Sequence, residues 1–344
     1  MKEAAISLDP KENGLEKKKF ISENALRKLL FVLRLAAPYI AIALSAVVYY
    51  GIADNGKQKS MSHPYYIYLL IVTGIVFGIA VIVSIFNRSA REKVVYKAPF
   101  ITGVVVFLLL LNYLTTKTTV LPTLYFPSLD RVIGLLVEER LFLLSNIADS
   151  LGLLLTGFIW GASIGFLTGL ALGYNKKVGY WLNPITKIIG PIPTTAWIPL
   201  ALSTFPTTHS ANVFLIAFAV WFPVTLMTSS GVQSISNVNF EVSRTLGAST
   251  LYQILHVAIP AAMPSIFLGV FYGTVSSFAT LMAVEMNGNS SGIGWYINWQ
   301  KSVMMYDGVY AGLTLIAVIC SLTLTVLFRI RDKVLVWQKG VIKW

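Results

Sequence analysis

The sequence predicts an all-α integral membrane protein, and three observations carry that prediction. Of 344 residues, 56% are hydrophobic and 12% charged, about half the roughly 25% charge of an ordinary soluble domain. Long apolar runs recur along the chain, each near the roughly 20 residues that a helix needs to cross a bilayer core. The basic residues behind the net charge of +12 stand in short clusters beside those runs, not on one face, which argues against nucleic-acid binding.

Eight runs qualify as spans: 35–53, 66–87, 99–115, 150–174, 187–205, 211–231, 260–284 and 308–328. The third is short and bounded by Pro99, and the fifth is interrupted by prolines. The first 28 residues are polar, with Lys17, Lys18 and Lys19 in a row, and no small-residue cleavage site precedes the first span, so a cleaved signal peptide is not expected. A cytoplasmic N-terminus puts the tail, loops 88–97 and 175–186, the polar connection 232–260 and the C-terminus on one side. Of 27 Lys and Arg, only Lys57, Lys59, Lys117, Arg131, Arg140 and Lys301 then fall elsewhere, the bias of the positive-inside rule. Between the third and fourth spans, Leu129, Val132, Ile133, Leu136, Val137, Leu141 and Leu144 recur at helical spacing among charges. That pattern fits a helix on the outer membrane surface, or one packed on the spans.

The fourth span carries Gly157, Gly161, Gly165, Gly169 and Gly173 at every fourth position. This is a face on which another backbone can approach closely, and it is read first as helix packing. In the fifth run, KIIGPIPTTAWIPLALSTF, prolines 191, 193 and 199 each remove a backbone donor. Broken backbone at membrane depth persists only where protein or a water-filled cavity satisfies it, and transporters place solute sites at such breaks. Pro193, Thr194, Thr195 and Trp197 are therefore candidates for a solute pathway, against the plainer reading of a kinked helix. After the seventh span, EMNGNSSGIGWY is rich in glycine and small polar residues and reads as a tight loop. Glu285 at its start could gate a pathway or anchor the loop through its amides; the structural role is favoured.

No charged residue or histidine lies in the middle third of any span, so neither a proton relay nor an ion site is legible. Histidines 63, 209 and 256 and the single Cys320 are scattered, and no metal site is expected. The chain has no G-x-x-x-x-G-K-[ST] loop. Nucleotide chemistry would fall to a partner, and no catalytic residue is assigned.

One polar connection is spaced with unusual regularity. Glu241 is followed six residues on by Gly247, and that glycine by Val257, Ile259 and Pro260 at ten, twelve and thirteen. The spacing resembles the EAA loop of ABC-importer permeases, E-A-A-x3-G-x9-I-x-L-P, with Val242 and Ser243 in place of the alanines and Ile259 in place of leucine. From about Pro127 to Trp344 the chain is similar to permeases of the nitrate, sulfonate, taurine and bicarbonate group. The shared stretches are PSLDRVIGLL, GFIWGASIGFLTGLALGY, PIPTTAWIP (PIPPLAWIP in the family), RTLGAS and AVEMNGNSSGIGWYI.

The resemblance implies a type I importer fold. A basic tail (1–34) and two extra spans (35–98) would precede a six-helix permease core (99–331), with its coupling loop at 232–260 and a cytoplasmic tail at 332–344. It implies a multi-pass protein of the bacterial inner membrane, a second and identical permease subunit, two cytoplasmic ATPase subunits that hold ATP and Mg, and an extracytoplasmic solute-binding protein. Coupling would run through Glu241, Ser243, Gly247, Ala248, Ser249, Tyr252 and Pro260, with a coupling helix over 248–255. Thr194 and Thr195 depart from the family motif where selectivity could be set. The solute class is a small anion or zwitterion. The alternative is a secondary transporter driven by an ion gradient.

Overall fold

A computed structural model describes residues 10–56, 63–118 and 120–337, and among them every regular element is a helix. Without water in the hydrocarbon, each backbone donor and acceptor must be satisfied within its own segment, which a helix does. Seven helices are long and apolar enough to cross a membrane, or eight if one sharply bent pair is a single crossing. The eight expected spans hold only on that second reading. The chain divides into two compact units, residues 1–134 and 135–344.

In the first unit, α1 (Pro10–Gly51), α2 (Tyr65–Phe86) and α3 (Arg88–Asn112) pack on a core of Ala41, Tyr66, Ile67, Leu70 and Val105. Between α2 and α3 stands Asn87 alone, whose side chain accepts from the amides of Ser89 and Ala90. The loop expected at 88–97 is therefore the first turns of α3. A wide π turn at Tyr113–Lys117 ends α3. There the Lys117 ammonium, 3% exposed, donates to the carbonyls of Tyr49 and Ile52 and to Asp54. It thereby supplies partners that the end of α1 otherwise lacks. The Asp130 carboxylate accepts from the Tyr66 amide at 2.8 Å and the Tyr49 hydroxyl at 3.1 Å. Burial pushes that carboxyl above the usual carboxylate range, against the pull of those two bonds.

The expected amphipathic stretch 129–144 is two helices, α4 (Leu129–Glu138) and the start of α5 (Arg140–Tyr174), parted at Glu139. In the second unit, α5 lies along α8 (Thr208–Gln233), and α8 along α11 (Ile259–Gly288). The glycine ladder explains how closely α5 and α8 approach. A Cβ on Gly161 would stand 2.3 Å from the Ala217 carbonyl oxygen, and one on Gly169 would stand 2.6 Å from that of Thr225. Gly157, Gly165 and Gly173 meet α8 in the same way. Across this contact Thr168 bonds the Thr225 hydroxyl at 2.8 Å and accepts from the Trp221 indole at 3.1 Å. The apolar core of the unit joins Leu153 and Leu154 of α5, Leu215 and Ile216 of α8, and Phe278 and Leu281 of α11.

The proline-rich run splits into α6 (Lys176–Ile189), a 3-10 turn at Thr194–Trp197 and α7 (Ile198–Thr204), with the two arms bent by 88°. The expected loop 175–186 is thus mostly helix, capped by Asn175, whose side chain accepts from the Lys177 amide. Four more helices complete the unit: α9 (Asn237–Thr245), α10 (Thr250–Gln253) and, after α11, α12 (Ile293–Ser302) and α13 (Tyr306–Val334).

Candidate functional site

Among the helices between α8 and α11, α9 stands out because none of its residues is buried. It ends as the Gly247 amide bonds the Arg244 carbonyl and the Ala248 amide bonds that of Ser243. Gly247 has φ +80°, and nothing lies within 4 Å of an added Cβ. Glycine is needed there for its backbone, not for space. Ser249 then caps α10 through the Tyr252 amide, and a π turn at Ile254–Ala258 runs on into α11. The isolated short helix is therefore 237–245. The helix expected at 248–255 is the opening of a long continuous rod, Thr250–Gly288.

Glu241 and Ser243 lie on α9, where the Ser243 hydroxyl folds back on the Phe240 carbonyl. Gly247, Ala248 and Ser249 make the turn. Tyr252 lies in the first turn of the rod and stacks on His256 with ring centroids 4.2 Å apart. Pro260 is the second residue of α11, so its missing N–H falls beside the wide turn. Five large apolar side chains of this segment, Val242, Leu246, Leu251, Tyr252 and Leu255, are exposed, Leu246 to 81%.

Gln253 is a residue that motif spacing does not reveal. It is buried, accepts from the Tyr174 hydroxyl at 3.1 Å and donates to the Ala248 carbonyl at 3.3 Å. It ties the turn to the end of α5. Beside the segment, Glu241 and Arg244 share a cavity of about 980 Å³ with Lys176 and Lys187 of α6 and Tyr174 of α5.

At the break, Pro193, Thr194 and Thr195 line a second cavity of about 430 Å³ with Phe218 and Phe222 of α8 and Ser276 and Thr280 of α11. Gly190 makes room for the Phe222 ring, whose nearest carbon would be 1.9 Å from a Cβ there. Trp197 stands off this cavity, its ring edge-on to Phe218 at 5.8 Å. Its indole nitrogen is buried without a hydrogen-bond partner among the described residues.

Glu285 is elsewhere again, 1% exposed. Its carboxylate accepts from the Ser150 hydroxyl and the Gly294 amide, both at 2.7 Å. The Ser150 oxygen in turn accepts from the Ile293 amide, and Asn146 accepts from that of Gly292, both at 2.8 Å. Three consecutive amides at the start of α12, orphaned by helix geometry, are thus satisfied by side chains of α5 and α11. Gly292, at φ +107°, leaves space for the carboxylate, which would lie 2.5 Å from a Cβ. Asn146 and Ser150 were findable in sequence as polar residues four apart at the head of an apolar helix, on one face.

A family model described as binding-protein-dependent transport system inner membrane component matches residues 142–336. The putative aliphatic sulfonates transport permease protein SsuC of Bacillus subtilis (strain 168) is 30% identical over 184 residues, 54% of this chain and 67% of that protein. The taurine transport system permease protein TauC of Escherichia coli (strain K12) is 28% identical over 196 residues, 57% of this chain and 71% of that protein. Among solved structures, an inward-facing conformation of the MetNI methionine ABC transporter aligns at TM-score 0.49 with 19% identity, covering 57% of this chain and 97% of that one.

Proposed function

Because the chain belongs to the binding-protein-dependent transport system inner membrane component family, we propose that it is the permease subunit of an ATP-driven importer, coupled to its energy source through residues 241–260. The observation that carries this reading is α9 with the Gly247 turn: an unburied helix and a left-handed glycine turn, carrying exposed apolar side chains, set between the long helices α8 and α11. Large apolar side chains exposed together mark a surface meant for a partner. That partner would be a cytoplasmic ATPase holding ATP and Mg, and α9 and both termini would then lie in the cytoplasm.

Two copies of the chain, two ATPase subunits and an extracytoplasmic solute-binding protein would make the working importer in a bacterial inner membrane. ATP-driven closure of the ATPases would move α9, and the rod from Thr250 would carry that motion toward the broken span. Pro193, Thr194 and Thr195 would face the solute. The relatives named for sulfonates and taurine support a small anion or zwitterion as cargo.

Gly247→Val tests the coupling role. Open space around the position limits the fold's cost to a left-handed backbone penalty of about 1–2 kcal/mol, so the protein is expected to remain folded. Uptake by cells and transport-linked ATP hydrolysis should both fall at least about tenfold, which corresponds to 1.4 kcal/mol of lost coupling. Wild-type uptake in a folded variant would remove residues 241–260 from the energy path.

A further inference from the structure

The first unit, outside the family match, holds a cleft between α1 and α3 at the end where both helices carry arginines. Phe31 and Arg34 of α1 and Arg91, Glu92, Val95 and Tyr96 of α3 line about 460 Å³. An adjoining hollow of about 250 Å³ shares Phe31, Arg34 and Val95 and adds Leu30. Among the described residues Glu92 is the only acid on the wall, and it faces Arg88 at 3.9 Å. Among the described residues, neither Arg34 nor Arg91 has an ion pair or side-chain hydrogen bond.

Depth in the membrane decides what fits. Arg34 lies just inside the apolar segment Leu30–Gly51 and Arg91 just inside Arg88–Lys117, the level at which long basic side chains reach for headgroups. Around them Val32, Leu33, Tyr96 and Phe100 expose apolar surface, on which acyl chains can lie. Two guanidinium forks without an acid partner among the described residues match the oxygens of a phosphate, and basic pockets between spans take lipid headgroups. We propose that this cleft binds the phosphate of an anionic phospholipid, with the acyl chains against α1 and α3. The charge complement favours this occupant over a zwitterionic lipid, and the apolar flank favours it over free phosphate.

The test uses the purified full chain in detergent, without any partner, so it stands apart from the importer reading. Native mass spectrometry would count retained phosphatidylglycerol against phosphatidylcholine, and thermal unfolding would be followed with each lipid and with inorganic phosphate. Wild type should retain phosphatidylglycerol preferentially and be stabilised by it, less so at high salt. A basic residue near the surface contributes about fivefold to such binding, so Arg34→Gln/Arg91→Gln should cut the preference about 25-fold. Arg34→Lys/Arg91→Lys, which keeps the charge, should retain most of it. Equal retention of both lipids by wild type, or an unchanged preference in the glutamine variant, would overturn the proposal. So would stabilisation by inorganic phosphate equal to that by the lipid. If the glutamine variant does not fold, the wild-type lipid and salt series decides alone.

Discussion

Glu285 shows how one carboxylate in an apolar helix can be structural. It closes, with Ser150 and Asn146, three consecutive amides at the start of α12, and a buried group left without its partner costs about 1–3 kcal/mol, more if charged. Glu285→Ala should therefore lower thermal stability in detergent by at least that amount, by stranding both Ser150 and the Gly294 amide. Glu285→Gln keeps an acceptor oxygen and should lose less than half as much. Equal losses, or a large loss of uptake in a Gln variant of normal stability, would give Glu285 a direct part in transport instead. The sequence displayed this acid as an oddity, but its partners are 135 and nine residues away. Spacing shows a polar residue in an apolar run without showing what it bonds.

At the scale of elements, helix existence was legible and helix ends were not. Asn87 and Asn175 each precede a basic run, and the charge reads as a loop because hydropathy registers only apolar length. The asparagines are caps, and the lysines and arginines after them ride on the first turns of α3 and α6. The proposed coupling segment departs from its expected helix bounds for a related reason. Its glycine was legible as a turn, but helix on both sides of a turn leaves motif spacing silent about which side stands alone, and Gln253, bonded to Tyr174, ties the later side to the fold. The break at 190–197 was legible from its prolines; its 88° bend and its lining from α8 and α11 came only with tertiary structure. If the threonines face cargo, Thr195→Val should change competition among sulfonate, taurine and nitrate in uptake by about five- to tenfold, the worth of roughly one hydrogen bond. Trp197→Ala, off the cavity, should alter uptake of all three alike. Identical competition profiles for wild type and Thr195→Val would leave the break a purely structural kink.

For the whole molecule, the family match covers 142–336 and leaves α1 to α4 outside it. The first unit has its own core and its own polar ties at Lys117 and Asp130, and a cleft whose occupant can be tested without transport. The second unit carries both the broken span and the exposed α9, and the proposed function depends on energy passing between them from outside the chain. Reconstitution tests that claim most directly. The permease, its ATPase and its binding protein would be placed in vesicles and solute uptake measured with ATP, and separately with an imposed proton or sodium gradient. The account predicts uptake that requires ATP and the ATPase and is lost with Gly247→Val; uptake driven by an ion gradient with the ATPase left out would contradict it.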